Sequence, residues 1–290
     1  MLSEKSPAGH PRDDVIPPVV PPLPRERHLG RNLPPATALD WLREGWSDFR
    51  THPTPSILYG LAIYIVSMVV VWLLFYLELD YFIFPALAGF VVIGPLVASG
   101  LYEKSRRLEA GEPVSFASMI FVRPRAGRSA LFMGVMLLGL FLLWQRAAVI
   151  VYSLFFGVVA FPGIDEIAPM LFLTSTGWAL LIVGGAVGAL FAAFGFAISV
   201  FAAPMLLEEK TDALSAFALS IAMVWNNLPV MIAWGAIVLA LFIFSVLTAL
   251  IGLIVVFPVL GHATWRAYKA LKPTEEQRTY HVVGPRPDAG

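Results

Sequence analysis

The sequence predicts an all-α protein, a polytopic membrane helix bundle with six transmembrane helices. Its composition, the length of its apolar runs and the distribution of its charges each indicate this fold. Apolar residues make up 58% of the chain and charged residues 14%, against roughly 45–50% and about 25% in ordinary globular proteins. The chain is uncharged from Ala213 to Trp265, which far exceeds the ~20 residues that a helix needs to cross a bilayer.

The charges predict the orientation in the membrane. The chain has 20 Lys and Arg residues, and six crossings from a cytoplasmic N-terminus leave all of them except Arg146 in the cytoplasm. The outward loops then carry no cation, and their acidic residues are Glu78, Asp80, Asp165 and Glu166. This asymmetry satisfies the positive-inside rule, so we expect both termini in the cytoplasm.

The same charges predict the partners of the chain. A basic cytoplasmic face attracts anionic lipid head groups, so we expect a lipid bilayer that carries them. The net charge is zero, and we therefore expect no nucleic-acid partner. Other membrane proteins are a further class of partner that the apolar spans leave open.

Composition divides the chain into a membrane domain and two tails. Residues 1–35 are rich in proline and lack the apolar stretch of a signal peptide, so we expect a disordered cytoplasmic tail. Residues 273–290 have the same character and predict a second cytoplasmic tail. The membrane domain is expected over residues 36–272.

The membrane domain begins with a predicted interfacial helix over residues 37–50. Thr37 and Asp40 have the spacing of a capping pair at its start, and Trp41 suits the head-group layer. Its apolar face is predicted to hold Leu39, Leu42, Trp46 and Phe49, and its polar face Asp40, Arg43, Glu44 and Asp48.

Six apolar segments of membrane-crossing length follow. They are predicted at about residues 57–77, 81–102, 129–155, 176–203, 229–248 and 252–270. The last two are separated by a tight hairpin at 248–252, because a single helix of about 40 residues would be ~60 Å long, twice the hydrocarbon thickness. The segment Ala213–Asn226 is predicted to be either a second interfacial helix or a re-entrant segment.

A weak internal repeat is visible in the order of these segments. Three times, a short amphipathic piece precedes a pair of spans, and the second span of each pair carries a proline. These prolines are Pro95, Pro204 and Pro258. The similarity is weak enough to have arisen by chance. If the repeat is real, it implies three hairpin units with equivalent kinks.

Most catalytic and cofactor signatures are missing. The predicted spans contain no Asp or Glu, the chain has no Cys, and it lacks the His-Glu-x-x-His, Walker and Gly-rich dinucleotide motifs. Of the five histidines, His262 alone lies near a span. We therefore expect no catalytic residue, cofactor or metal. Glu208, Glu209 and Asp212 with His262 are the one acid–base group that a lipid-active enzyme could use.

Arg146 is the strongest single candidate for a functional residue. A charge inside the hydrocarbon costs ~2.5 kcal/mol or more. One interpretation is that Arg146 extends to the outer surface and pairs with Asp165, Glu166 or Glu78. The other interpretation is an anion-binding site that faces a cavity.

Four further polar or aromatic residues are candidates with structural interpretations. Asn226 and Asn227 precede a helix-breaking proline, so their amides are expected to bond free backbone groups. His262 is expected to form a hydrogen bond at the membrane interface. Trp265, together with Tyr268, is predicted to anchor the last span in the aromatic belt.

Three blocks near the ends of the membrane domain resemble a known family. They are Asp40–Asp48 (DWLREGWSD), Pro55–Gly60 (PSILYG) and Phe257–Tyr268 (FPVLGHATWRAY). Over about residues 36–272 the chain resembles a family of predicted bacterial integral membrane proteins of unknown function. The resemblance implies six spans, a proteobacterial inner-membrane setting and no assigned activity.

The sequence thus predicts a multi-pass protein without a catalytic site. The favoured function is an accessory or scaffold protein of a membrane complex. The alternative is a transporter or channel for a small solute, which would need a wet path past Arg146, Ser99, Ser199 or Asn226.

Overall fold

A computed structural model describes residues 29–79, 82–157 and 164–272 of the chain. These residues form helices and their connections, without a β-strand among them. The all-α fold class is confirmed. The predicted tails at 1–35 and 273–290 lie outside the described residues, except for positions 29–35.

The described part contains twelve helices. Their bounds are α1 Thr37–Arg50, α2 Pro53–Tyr76, α3 Ile83–Val97, α4 Ser99–Ala110, α5 Phe116–Ile120, α6 Arg128–Phe156, α7 Ile164–Phe172, α8 Ser175–Ser199, α9 Ala202–Glu208, α10 Ala213–Asn226, α11 Leu228–Leu247 and α12 Leu253–Leu271. The predicted spans agree with these bounds to within a few residues at most ends. Helix α7 lies where the sequence predicted only an outer loop.

Five helical stretches are long and apolar enough to cross a membrane. They are Pro53–Tyr76, Pro85–Ala110, Arg128–Phe156, Ser175–Glu208 and Leu228–Leu247. A polytopic helical membrane bundle is therefore confirmed, whereas the count of six spans is not. The sixth predicted span does form α12, but its second half carries His262, Arg266 and Lys269, which lower its mean hydropathy.

The three prolines of the proposed repeat act differently. After Pro95 the backbone breaks at Ala98, so α4 follows α3 with a bend. The break between α8 and α9 precedes Pro204, whose ring nitrogen cannot donate a hydrogen bond. Helix α12 continues through Pro258 without a break. The three spans therefore do not have equivalent kinks, although the order of a short helix and two longer ones recurs.

Helix α12 is the centre of the bundle and packs against α1, α2, α4, α9 and α11. Two glycines allow the closest approaches. Gly45 of α1 lies directly on α12, where an added Cβ would come within 2.6 Å of the Ala263 Cβ. Gly261 of α12 lies against Leu101 of α4, where an added Cβ would come within 2.5 Å of the Leu101 side chain.

The inner face of α1 differs from the predicted one. Trp41, which the sequence predicted in the head-group layer, is buried in an edge-to-face contact with Trp234, with 6.2 Å between the ring centroids. Asp48, expected on the polar face, is also buried. The predicted Thr37–Asp40 capping pair is wrong, since α1 has no side-chain cap and Asp40 instead accepts a hydrogen bond from Arg43 at 2.7 Å.

Helix α10 packs on α8 and α9 with one face and exposes the other. It begins at Asp212, whose Oδ1 accepts a hydrogen bond from the Ser215 amide at 2.9 Å. On its buried face, the Ser220 hydroxyl donates to the Ala197 carbonyl at 2.7 Å and accepts from the Phe201 amide at 3.2 Å. It thereby satisfies backbone groups freed by the α8–α9 break. The choice between an interfacial helix and a re-entrant segment stays a prediction.

Replacement of Gly45 by Ala is predicted to destabilise the protein. The new methyl group overlaps Ala263, so α1 must move off α12, and overpacking of this kind costs about 1–3 kcal/mol. Thermal unfolding of the purified protein in detergent measures the effect as a lower transition temperature. Gly185→Ala in α8 is the control, because an added Cβ there meets no atom within 4 Å. An equal transition temperature for Gly45→Ala and wild type would contradict the packing.

Candidate functional site at the charged end of the bundle

Charged side chains of α1, α4, α9 and α12 meet at one end of the bundle, which we call the charged end. Its ion pairs join residues that are far apart in the sequence. The charged groups involved are Asp48, Glu109, Glu208, Glu209, Arg266, Lys269 and Lys272. This end is therefore built by tertiary packing and not by one charged segment.

A buried hydrogen-bond network leads from the charged end into the bundle. Its members are Lys104, Ser56, His262, Ser105 and Asp48. The Lys104 Nζ lies 2.8 Å from the Ser56 Oγ, which lies 3.0 Å from the His262 Nε2. The His262 Nδ1 lies 2.9 Å from the Ser105 Oγ, which donates to Asp48 Oδ2 at 2.8 Å.

The donor inventory fixes the protonation of His262. A serine hydroxyl has one hydrogen, and Ser105 donates its hydrogen to Asp48, so Ser105 must accept from the Nδ1–H of His262. An ammonium group only donates, so Ser56 accepts from Lys104, and its own hydrogen is available to Nε2. The arrangement that gives each of these hydrogens one acceptor has a neutral His262 with its proton on Nδ1.

Burial determines what this network can do chemically. Ser56 and His262 are at the distance of a nucleophile and its general base. Both are 0% exposed, as is Lys104, and the ammonium group of Lys104 occupies the other side of the Ser56 hydroxyl. No substrate atom can reach Ser56 in this arrangement, and the network joins α1, α2, α4 and α12 instead of forming a catalytic site.

Asp48 links the buried network to the charged groups outside it. Arg266 forms two hydrogen bonds with its carboxylate, Nη2 to Oδ1 at 2.6 Å and Nε to Oδ2 at 2.9 Å. This paired geometry is the strongest form of a charge-assisted contact. The Arg266 Nη1 also donates to Glu109 at 3.1 Å. The network is thus anchored at its outer end by a fixed cation.

The structure buries His262 and Trp265, which the sequence predicted at the membrane interface. His262 is at the centre of the buried network. Trp265 is 0% exposed and donates from its indole Nε1 to Glu109 at 3.0 Å. Tyr268 is equally buried and donates to Glu209 at 2.7 Å. These aromatic residues pack in the interior of the bundle and are not belt anchors.

The two asparagine amides bond backbone carbonyls, as predicted. Asn226 donates to the Ala222 carbonyl at 2.7 Å. Asn227 donates to the carbonyls of Met223 and Leu29, and its Oδ1 accepts from the Arg31 amide at 2.8 Å. Asn227 therefore fixes the segment before α1 to the start of α11.

Arg146 lies apart from the charged end, on the exposed side of α6. It forms no ion pair with a carboxylate whose side chain the structure describes, and Asp165 is outside that set. Its neighbour Gln145 has a buried Nε2 without a hydrogen-bond partner in the described residues. Both interpretations of Arg146 remain predictions.

The acid–base group suggested for a lipid-active enzyme is not assembled. Glu208 pairs with Lys269 at 2.9 Å and with Lys272 at 2.7 Å. Asp212 caps α10, and the hydrogen bonds from Ser215 lower the pKa of its carboxyl group. His262 is occupied by the two serines of the buried network. In the described part of the chain, no three His, Asp or Glu residues form a group that could hold a metal ion.

The polar groups named for a transport path are likewise occupied. The hydroxyl of Ser99 donates to the Leu96 carbonyl at 2.5 Å, and that of Ser199 to the Gly195 carbonyl at 2.6 Å. Each bond stays within the side chain's own stretch of helix. A cavity of about 310 Å³ lies between α3, α8, α11 and α12, and its lining is almost entirely apolar. This cavity therefore does not form a polar path.

Residues 83–208 match the model of a family described as "Predicted integral membrane protein (DUF2189)". The resemblance to a membrane-protein family of unknown function is confirmed over this range. The match covers α3 to α9, and so includes Lys104 and Ser105 but not Asp48, Ser56 or His262. No curated protein and no solved structure matches the chain.

Asp48→Asn is predicted to destabilise the protein strongly. It removes the negative charge near the buried Lys104 and leaves Arg266 with Glu109 alone. Loss of one partner of a buried ion pair costs about 3–5 kcal/mol. Thermal or denaturant unfolding in detergent measures the change. Asp40→Asn on the same helix is the control, because its pair with Arg43 is exposed and such pairs contribute about 0–1 kcal/mol. Similar losses for the two variants would contradict the role of Asp48.

Proposed function

We propose that this multi-pass membrane protein is a non-enzymatic accessory or scaffold protein of a membrane complex. The observation that carries the proposal is the position of Arg146, a cation on the exposed side of the longest helix. The interior of the bundle supports it, because the buried network is sealed and the hydroxyl groups of Ser99 and Ser199 bond backbone carbonyls. The protein would then bind its partner through the exposed surfaces of its helices.

Helix α6 is the favoured contact surface. Of its 29 residues, Met133 and Leu137 are the buried ones. Arg146 lies about 27 Å along the helix from Arg128, at 1.5 Å per residue. A cation at that depth costs ~2.5 kcal/mol or more in lipid, and a polar or acidic group on a partner helix offsets this cost. Without such a partner, Arg146 extends to the outer head groups.

The alternative of a transporter or channel for a small solute has less support. Its path would have to use Ser99, Ser199 and Asn226, whose side chains already bond backbone carbonyls three or four residues earlier in the chain. The cavity of about 310 Å³ is apolar and suits neither an ion nor a polar solute. Solute flux in proteoliposomes would favour the transporter.

Site-specific photo-cross-linking in native membranes tests the scaffold proposal. A photoreactive residue at Leu142, one turn before Arg146, is expected to give one defined adduct with another membrane protein. The control position is Val69 on α2, which is equally exposed and is expected to give none. Arg146→Leu should lower the yield of the Leu142 adduct. Absence of adducts, together with a solitary monomer in mild detergent, would contradict the proposal.

We also propose a bacterial inner-membrane location with the charged end and both tails in the cytoplasm. The distribution of Lys and Arg supports this orientation. The chain has no Cys, so a single introduced cysteine can report on which side of the membrane its position lies. In intact cells, an impermeant maleimide should label Glu166→Cys and not Ala117→Cys. Disruption of the membrane should expose the second site, whereas labelling of Ala117→Cys in intact cells would contradict the orientation.

A further inference from the structure

A basic pocket lies beside the charged end, between α4, α5, α9 and the segment that leads into α6. Its volume is about 420 Å³. It is lined by Glu103, Arg106, Arg107, Ser118, Phe121, Arg123, Arg125 and Leu207. Four guanidinium groups thus share the pocket with one carboxylate, and the excess of positive charge favours an anionic ligand.

Two of the four arginines are held by that carboxylate. Glu103 accepts hydrogen bonds from Arg106 at 2.8 and 2.9 Å and from Arg107 at 2.7 Å. The Glu112 side chain is 3.7 Å from Arg106 and 3.8 Å from Arg107. These contacts fix the two guanidinium groups in the wall of the pocket and neutralise part of their charge.

The charges of the other two arginines are not compensated by an ion pair in the described part of the chain. Arg123 and Arg125 are exposed and form no ion pair with a carboxylate in the described part of the chain. Their backbone is nevertheless fixed, since the amides of Arg125 and Ala126 donate to the carbonyls of Leu207 and Leu206 at 3.2 and 3.1 Å. The pocket is therefore an ordered site and not a flexible basic loop.

Exposed apolar side chains flank the pocket. Phe121, in the pocket wall, is 78% exposed, and the adjacent Ile120 is 48% exposed. The apolar helix α6, which is long enough to cross a membrane, begins at Arg128, a few residues beyond Arg125. The positive charge of the pocket thus adjoins an apolar surface, which suits a ligand with an anionic head and apolar chains.

We propose that the basic pocket binds the phosphate group of an anionic phospholipid, with its acyl chains beside Ile120 and Phe121. The planar guanidinium group forms paired hydrogen bonds with phosphate oxygens, which suits Arg123 and Arg125 to this role. Basic pockets between membrane helices are a known setting for lipid head groups. The bound lipid adds a ligand-dependent link between α4, α9 and the start of α6.

Native mass spectrometry of the full-length protein, titrated with lipids in detergent, tests this site. Phosphatidylglycerol is expected to remain bound and to raise the unfolding temperature, whereas zwitterionic phosphatidylcholine, with the same phosphate, is not. The double variant Arg123→Gln with Arg125→Gln should weaken phosphatidylglycerol binding about tenfold or more. The matched control is Arg43→Gln with Arg50→Gln, which removes the same charge outside the pocket and should stay within about twofold of wild type.

Three outcomes would overturn the proposal. Equal loss of binding in both double variants would indicate diffuse surface charge, and equal binding of phosphatidylcholine would remove the anionic specificity. Displacement of the lipid by millimolar inorganic phosphate, together with loss of phosphate binding in the Arg123→Gln, Arg125→Gln variant, would indicate that the ligand is a soluble anion. Unfolding temperatures without lipid verify that the Gln variant is folded. Arg123→Lys with Arg125→Lys keeps the charge and should retain part of the binding.

Discussion

Neutral His262, held between two buried serines, is the contact on which the rest of the structure depends. A buried Lys104 ammonium and a buried Asp48 carboxylate are both costly unless each polar atom has a partner. Ser56, His262 and Ser105 supply those partners in one continuous series of hydrogen bonds from the cation to the anion. Because these groups come from α1, α2, α4 and α12, the series can form only when the four helices are packed together.

This constraint explains why α12 differs from the other predicted spans. Its first half is apolar, whereas its second half supplies His262, Trp265 and Arg266 to the buried network and the charged end. A helix with these groups is stable in the interior of a bundle and not against lipid. The buried network is consequently satisfied at its own polar atoms, and the surfaces proposed for recognition are the exposed face of α6 and the basic pocket.

The sequence predicted the helices better than it predicted their contacts. Apolar run length and charge placement located α6 and α12 to within one residue at each end, since both signals are local. The buried network joins Ser56 to His262 across 206 positions, and a single sequence carries no local sign of such a pairing. Trp265 near the end of a span has the pattern of a belt anchor, and only the packing of α12 inside the bundle buries it. The sequence likewise predicted Asp48 on a solvated face, because the contacts that bury it come from distant segments. Asp48 and His262 both lie in the sequence blocks that carry the family resemblance.

The protonation state of His262 tests the central claim most directly. Nitrogen-15 NMR of the full-length protein in detergent, with His262 assigned by its loss in a His262→Gln variant, distinguishes the two ring nitrogens. Near neutral pH, the buried network requires a neutral ring with hydrogen on Nδ1 and none on Nε2. A doubly protonated ring would contradict the donation from Ser56 to Nε2. A neutral ring with its hydrogen on Nε2 would contradict the direction of both hydrogen bonds that the ring forms.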